Sequence, residues 1–416
     1  MNEYILSVTT VAEVFPDGQK ITAAVVEFDR DIDNEKLFPA LFSVKDRTVT
    51  GIYANTEPGR AAQGKNGKYV IIELSLEDAE ARILPKPSGP RPGGPGGPGG
   101  HGGQFPKIPP RVRKPLKLSI RQLDAIAAAD GTLLPARRDE IVSSKVSQPS
   151  VEEFRQAAYK GIQYNLFVPK DYGGKTLYPL VMFVADASAN SDDPLLPLVQ
   201  GLGGVIWATP EEQAKHPCFV LVPQIPHGVP LVRDNFVASP ELETIKELSD
   251  DVVSRYSIDR NRIYTTGQSQ GCMASCELNV RYPGYFAASL LVSGQWNPET
   301  MAAKLVKKNL FIALSEGGPR EVPGMNAVTA ALEAAGARVA RASLNARQSK
   351  EELNADVMKL IATGANILYA VYDAKTALPD DGKEYPQMAH HSRGWEITYD
   401  IEAIRDWLLS KIKRQL

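Results

Sequence analysis

The sequence predicts an α/β chain in which a doubly wound, mostly parallel sheet covered by helices follows a small all-β sandwich. Three observations lead there. From Gly161 onward, apolar runs bounded by turn residues alternate with helix-length segments, the pattern of parallel strands joined by helical crossovers. Before that, from Ile5 to Leu84, the runs are short, alternate between apolar and polar residues, and are separated by turn formers, as in a sandwich. Finally, Gly267-Gln268-Ser269-Gln270-Gly271 stands between the β-branched run Arg262 to Thr266 and a stretch free of Gly and Pro from Cys272 to Val280. Strand, sharp turn and helix therefore follow one another there.

In the N-terminal part, Thr22 to Phe28 and Tyr69 to Leu74 are the clearest strands. Composition then changes abruptly. Residues 85–110 are dominated by proline and glycine and have almost no side chains to bury, which predicts a mobile loop in which His101 is a solvated residue. Strand-like material returns at Leu116 to Ile120, so the loop interrupts the first domain rather than ending it. The domains are expected to be 1–147 and 148–416. In the second, strands are predicted at Ile162 to Val168, Leu180 to Val184, Phe219 to Val222, Ile263 to Thr266, Ala287 to Val292, Leu310 to Leu314 and Ile367 to Tyr372. Helices fit Leu242 to Tyr256, Gly324 to Ala335, Lys350 to Thr363 and Ile401 to Lys413. The last places Ile401, Ile404, Trp407 and Leu408 on one face.

The 416 residues are 43% hydrophobic and 23% charged with a formal net charge of −2, an ordinary balance for a globular protein and one that points away from nucleic acid. No apolar run has the length of a membrane span, and the first residues lack a basic leader with a long apolar stretch. As written, the chain is expected to be cytoplasmic. A leader removed from this sequence would make it secreted or periplasmic. Three cysteines are too few for a disulfide scaffold, and Cys272 and Cys276, four apart on the predicted helix, are expected to be buried small hydrophobes. Asp192-Asp193 has no histidine cluster beside it and is read as a capped, solvated loop, so no metal is expected.

The G-x-S-x-G turn carries the chemistry. A serine between a strand and a helix is held in a strained backbone that projects its hydroxyl from the sheet, and the flanking glycines let the two elements approach. Ser269 is the candidate nucleophile. A serine hydroxyl needs a base within hydrogen-bond reach. His216 precedes Pro217 and an apolar strand, His227 lies in a Pro-rich loop, and His390 and His391 stand between the last strand and the last helix.

The stretches Tyr164-Asn165-Leu166-Phe167-Val168-Pro169, Gln200-Gly201-Leu202-Gly203-Gly204, Asp259 to Ser269 and Tyr399 to Leu408 carry a wider resemblance. With the serine turn, they make the chain similar to α/β-hydrolase esterases of the prolyl-oligopeptidase and polyhydroxybutyrate-depolymerase-like (feruloyl-esterase-like) group that bear an N-terminal immunoglobulin-like domain. The resemblance implies hydrolysis of carboxylic esters, commonly aryl or hydroxycinnamoyl esters, through an acyl-enzyme and without a cofactor. The partner expected is a small-molecule or polysaccharide-linked ester. It also implies that the histidine comes from the loop before the last helix, and counting back from Tyr399-Asp400-Ile401 puts it on His391, with His390 as the alternative.

The acid departs from the family pattern. Where the resemblance implies an aspartate, this chain has Gly318 in Ser315-Glu316-Gly317-Gly318-Pro319-Arg320-Glu321. Glu316 is the expected substitute and Glu321 the weaker candidate; the alternative is a Ser269 and His391 dyad. The oxyanion hole needs two backbone N–H groups. One is expected from Gln270, the other from the loop after Leu180 to Val184, at Asp186. Its carboxylate would be a hindrance if it faced the oxyanion. Trp207, Trp296 and Trp395 lie in or beside loops after predicted strands and are candidates for an aromatic pocket. A serine peptidase of the same fold is a second reading. A degenerate, non-catalytic binding protein, suggested by Ala185, Ser188 and Gly318, is a third.

Overall fold

The computed structural model describes residues 4–85, 111–173 and 175–413. Apart from Pro85, the segment expected to be a mobile loop lies outside these residues, and so does His101. Two compact units separate: of the described residues, 4–85 and 112–152 belong to the first and 153–413 to the second.

In the first unit, strands Ile5–Phe15 and Gly18–Ile32 form a long antiparallel hairpin whose register runs from Ile5 opposite Phe28 to Phe15 opposite Gly18. Gly18 takes a positive φ of 115°, a conformation open to glycine, where the chain reverses. Gly67–Leu74 and Val49–Asn55 extend the sheet on one side and Lys145–Ser147 pairs with the first strand on the other, giving five strands. A second sheet of Phe42–Val44, Ser119–Gln122 and Arg137–Val142, with the small ladder Ile126–Ala127 and Leu133–Leu134, completes this all-β unit. Val11, Ala23, Val25 and Ile71 are buried together on one face of the five-stranded sheet.

The second unit is a nine-stranded sheet. Its strands are β1 (Arg155–Tyr159), β2 (Ile162–Phe167), β3 (Tyr178–Val184), β4 (Phe219–Gln224), β5 (Ile258–Gln268), β6 (Ala288–Val292), β7 (Asn309–Ser315), β8 (Val339–Leu344) and β9 (Ile367–Tyr372). Their spatial order is β1-β2-β4-β3-β5-β6-β7-β9-β8. β1, β2 and β4 pair antiparallel, and every other pairing is parallel. Seven helices of eight or more residues are found among the described residues. They are α1 (Glu241–Arg255), α2 (Gln270–Arg281), α3 (Pro298–Leu305), α4 (Glu321–Ala334), α5 (Lys350–Ala362), α6 (Gln387–Thr398) and α7 (Glu402–Leu409). β3, β4 and β6 are buried along their whole length and β7 along all but its first residue, as expected of strands covered on both faces.

All seven strands predicted for this region are present. β1 and β8 were not expected, because Arg-Gln-Ala-Ala-Tyr and Val-Ala-Arg-Ala-Ser-Leu are edge strands that leave side chains exposed and lack an apolar run. Helices differ as well, and the last one ends at Leu409 rather than Lys413. α4 begins at Glu321 rather than Gly324, since Pro323 falls in the first turn, where its missing N–H costs nothing. α6 occupies what reads as a loop, because Gly394 and the polar run His390-His391-Ser392-Arg393 hide its periodicity.

Register explains why a site can form. In the parallel ladder Val184 lies opposite Gly267, Gln268 opposite Val292, Val292 opposite Ala313, and Ser315 opposite Tyr372. The carboxyl ends of five adjacent strands therefore reach one edge of the sheet together, the edge where open α/β sheets place their ligands.

Candidate active site

Ser269 leaves that edge between β5 and α2 with φ 52° and ψ −116°, a conformation that strains any residue with a Cβ. The neighbouring glycines make the turn sterically feasible. A Cβ on Gly271 would overlap the carbonyl oxygen of Val184, and one on Gly267 would lie 2.6 Å from that oxygen and 2.5 Å from the carbonyl of Gly271. Ser269 is half-buried, and its N–H donates to Val292 O at 3.0 Å.

His391, on α6, is brought to the serine. Its Nε2 lies 2.9 Å from Ser269 Oγ and its Nδ1 lies 2.6 Å from Glu321 Oε1. Serine, histidine and carboxylate thus form one hydrogen-bonded line, with the histidine and glutamate side chains only 12% and 4% exposed. Burial pushes the Glu321 carboxyl up. The hydrogen bond from His391, the charge of His391 and the backbone N–H groups at the start of α4 outweigh it and hold the group below its ordinary value.

The expected acid is elsewhere. Glu316 is exposed, and its Oε2 accepts from the Ala374 N–H at 3.1 Å, an arrangement that caps the turn after β9 and leaves it away from His391. The physical reason lies in Gly318. A Cβ there would meet only Glu321 atoms among its three nearest neighbours, overlapping Oε1 and Cδ and approaching Cγ to 2.7 Å. The space that an aspartate would need at Gly318 is filled by the glutamate three residues later. The longer side chain enters it from the first turn of α4. The usable signal in the sequence is Pro323, which marks a helix start just where Glu321 sits.

The other histidines are accounted for. His390 Nδ1 faces Ser315 Oγ at 3.4 Å, and its ring covers Gly317. His216 Nε2 pairs with Asp406 Oδ1 at 2.8 Å, and His227 is exposed. His216, Glu212 and Asp406 form a cluster of metal-type donors, but the Glu212 carboxylate already accepts from Arg405 Nε at 2.7 Å. Asp193 Oδ1 accepts from the Leu195 N–H, as a loop cap does.

Asp186 begins the loop after β3. Its carboxylate, feared as a hindrance, accepts from the Ser188 N–H at 2.7 Å through Oδ1 and from Gln268 Nε2 at 3.1 Å through Oδ2. Gln270 is the first residue of α2, and the first-turn N–H groups of a helix have no partner inside it.

Two of the three tryptophans are not pocket residues. Trp207 is fully buried, with Nε1 donating to Gly203 O at 2.9 Å. Trp296 is 1% exposed, packs edge-on against Phe236, and donates to Glu277 Oε2 at 3.1 Å. Both are core anchors, since an indole fills a core only where its N–H finds an acceptor, and each has one. Trp395 differs. It is partly exposed and stands edge-on to the His391 ring at 5.1 Å between centroids. Cys218, Cys272 and Cys276 are free and buried.

Comparison with known proteins agrees with this architecture. Residues 7–135 match the family model of the esterase Ig-like N-terminal domain. A thermostable esterase of known structure aligns with 25% identity over 98% of this chain and 100% of its own, at a TM-score of 0.78. The feruloyl esterase module from Clostridium thermocellum aligns with 14% identity over 64% of this chain and 92% of its own, at a TM-score of 0.41. An acetyl xylan esterase from Aspergillus awamori aligns with 15% identity over 44% of this chain and 82% of its own, at 0.33. No curated protein matches the sequence. The class is an α/β-hydrolase preceded by an immunoglobulin-like domain, and the alignment with the thermostable esterase runs through both parts. No helix among the described residues is long and apolar enough to cross a membrane.

Proposed function

We propose that the protein is a serine carboxylesterase in which Ser269 is the nucleophile, His391 the general base and acid, and Glu321 the acid that orients the histidine. The observation that carries this reading is the unbroken line from Ser269 Oγ through both nitrogens of His391 to Glu321. Ser269 Oγ attacks the ester carbonyl as its proton passes to His391 Nε2. Negative charge builds on the former carbonyl oxygen, to be met by the N–H groups of Gln270 and Asp186. The alcohol leaves with the proton from His391, and the acyl group stays on Ser269. Water then gives a proton to His391 and attacks the acyl carbon; the carboxylic acid departs as Ser269 recovers its proton. Glu321 keeps Nδ1–H hydrogen-bonded throughout, so that Nε2 is the nitrogen free to accept.

Aryl and hydroxycinnamoyl esters are the proposed substrates. Trp395, beside the reacting histidine and partly open, is the aromatic surface that supports this class. Hydrolysis of p-nitrophenyl acetate and methyl ferulate is expected from the wild type, with Ser269→Ala lowering kcat by at least about a thousandfold. Equal product release by the two proteins would refute the nucleophile.

A further inference from the structure

The two neighbours of the nucleophile in sequence, Gln268 and Gln270, both direct their side chains to one loop. Gln268 is 1% exposed and Gln270 3% exposed, so each amide must find its partners inside the protein. Gln268 Nε2 donates to Asp186 Oδ2 at 3.1 Å. Gln270 Nε2 donates to Asn190 Oδ1 at 3.0 Å, and Asn190 Nδ2 donates to Val229 O at 2.8 Å and to Gln270 Oε1 at 3.4 Å. Asp186 and Asn190 are the two ends of the short turn Ala187–Ala189, so each end is fastened to one side of Ser269.

The fastening occurs where the backbone no longer provides it. The paired register of β3 and β5 ends at Val184 opposite Gly267. The residues expected to supply the oxyanion donors, Asp186 and Gln270, lie beyond that last pair and outside both strands. Two N–H groups stabilise a developing oxyanion only when both lie about 3 Å from the position it will take, and a drift of a few tenths of an ångström in one of them weakens the pair. We propose that Asp186 and Asn190 are positioning residues that act through Gln268 and Gln270 to hold the Asp186 and Gln270 N–H groups at the spacing oxyanion stabilisation requires. The proposal rests on the esterase reading above. It also accounts for the Asp186 carboxylate, whose two oxygens are engaged with loop and elbow, so that its charge is turned to holding the loop.

The test is a steady-state comparison of Asp186→Ala, Gln268→Met and Asp186→Asn with wild type on p-nitrophenyl acetate, together with inhibition by an aryl trifluoromethyl ketone. Asp186→Ala and Gln268→Met are expected to lower kcat about 10- to 100-fold with KM within about twofold, and to raise Ki for the ketone in proportion, since only the charged tetrahedral adduct uses the hole. Asp186→Asn should recover most of the loss. Its Oδ1 can accept from Ser188, and its Nδ2 can donate to a rotated Gln268 amide. Unchanged kcat in the first two variants overturns the proposal. So does a loss that Asp186→Asn shares and that accompanies a large fall in Tm, because that pattern belongs to fold stability. If the wild type hydrolyses no ester, the functional reading falls separately. Hydrogen exchange then decides the clamp: amides of residues 185–190 should exchange faster in Gln268→Met than in wild type, and equal rates would overturn it.

Discussion

At the scale of single residues, the exchange between Gly318 and Glu321 has the sharpest consequences. Glu321→Gln should lower kcat on p-nitrophenyl acetate by at least about a hundredfold, since a neutral amide neither stabilises an imidazolium nor fixes its tautomer. Glu316→Gln should change it by less than about twofold, because among the described residues that carboxylate bonds only the Ala374 N–H. The same Glu321 carboxylate links stability to pH. Its folded pKa lies below the ordinary 4.5, so the unfolded chain binds the proton more readily and the group adds stability above that value, losing it as pH falls through the folded pKa. The Tm difference between wild type and Glu321→Gln should therefore be full near neutrality and shrink below about pH 4.5. Installing aspartate at Gly318 is expected to harm the wild type, whose Glu321 fills that space, yet to recover part of the activity in a Glu321→Ala background. Kinetics of the two single variants and the pair measure this coupling, and strictly additive losses would show that the two positions do not share one space.

At the scale of elements, the strand-turn-helix of β5, Ser269 and α2 depends on how closely α2 approaches the end of β3. A Cβ on Gly271 would overlap the Val184 carbonyl oxygen, and that atom is backbone in a central strand, so it cannot swing aside. Gly271→Ala should cost about 3 kcal/mol or more of stability, in the upper range of overpacking effects, and chemical denaturation would measure it. A loss under about 1 kcal/mol would mean that α2 can slide along the sheet. The degenerate-protein reading weakens at this same scale. Of the three residues that suggest it, Ala185, Ser188 and Gly318, the last is offset because α4 supplies a carboxylate to His391 from its first turn.

At the scale of the whole molecule, a small apolar cluster around Val11 and Ile71 lies in the first unit, and a large one covers one face of the nine-stranded sheet in the second. Calorimetry is expected to resolve two unfolding transitions. Phosphonylation of Ser269 by a fluorophosphonate should raise only the one belonging to the second unit. A single transition, shifted as a whole, would mean that the units unfold together.

The sequence by itself determined the class of fold, seven strands of the nine-stranded sheet and the strained serine, and it narrowed the approaching histidine to His391 with His390 as the alternative. These are written in local signals: apolar runs, glycine spacing beside a serine, and a histidine ahead of the last helix. Only the tertiary structure decided which carboxylate meets that histidine, which tryptophans are core, and how Asp186 is used. Glu316 and Glu321 are five residues apart and chemically alike, and what separates them is the start of α4 and the missing side chain at Gly318, whose space Glu321 takes. Trp207 and Trp296 follow strands just as a pocket residue would, and only the chain packed around them shows them buried. Each of these outcomes depends on space shared by residues distant in sequence, which becomes defined when the strands align and close upon one another.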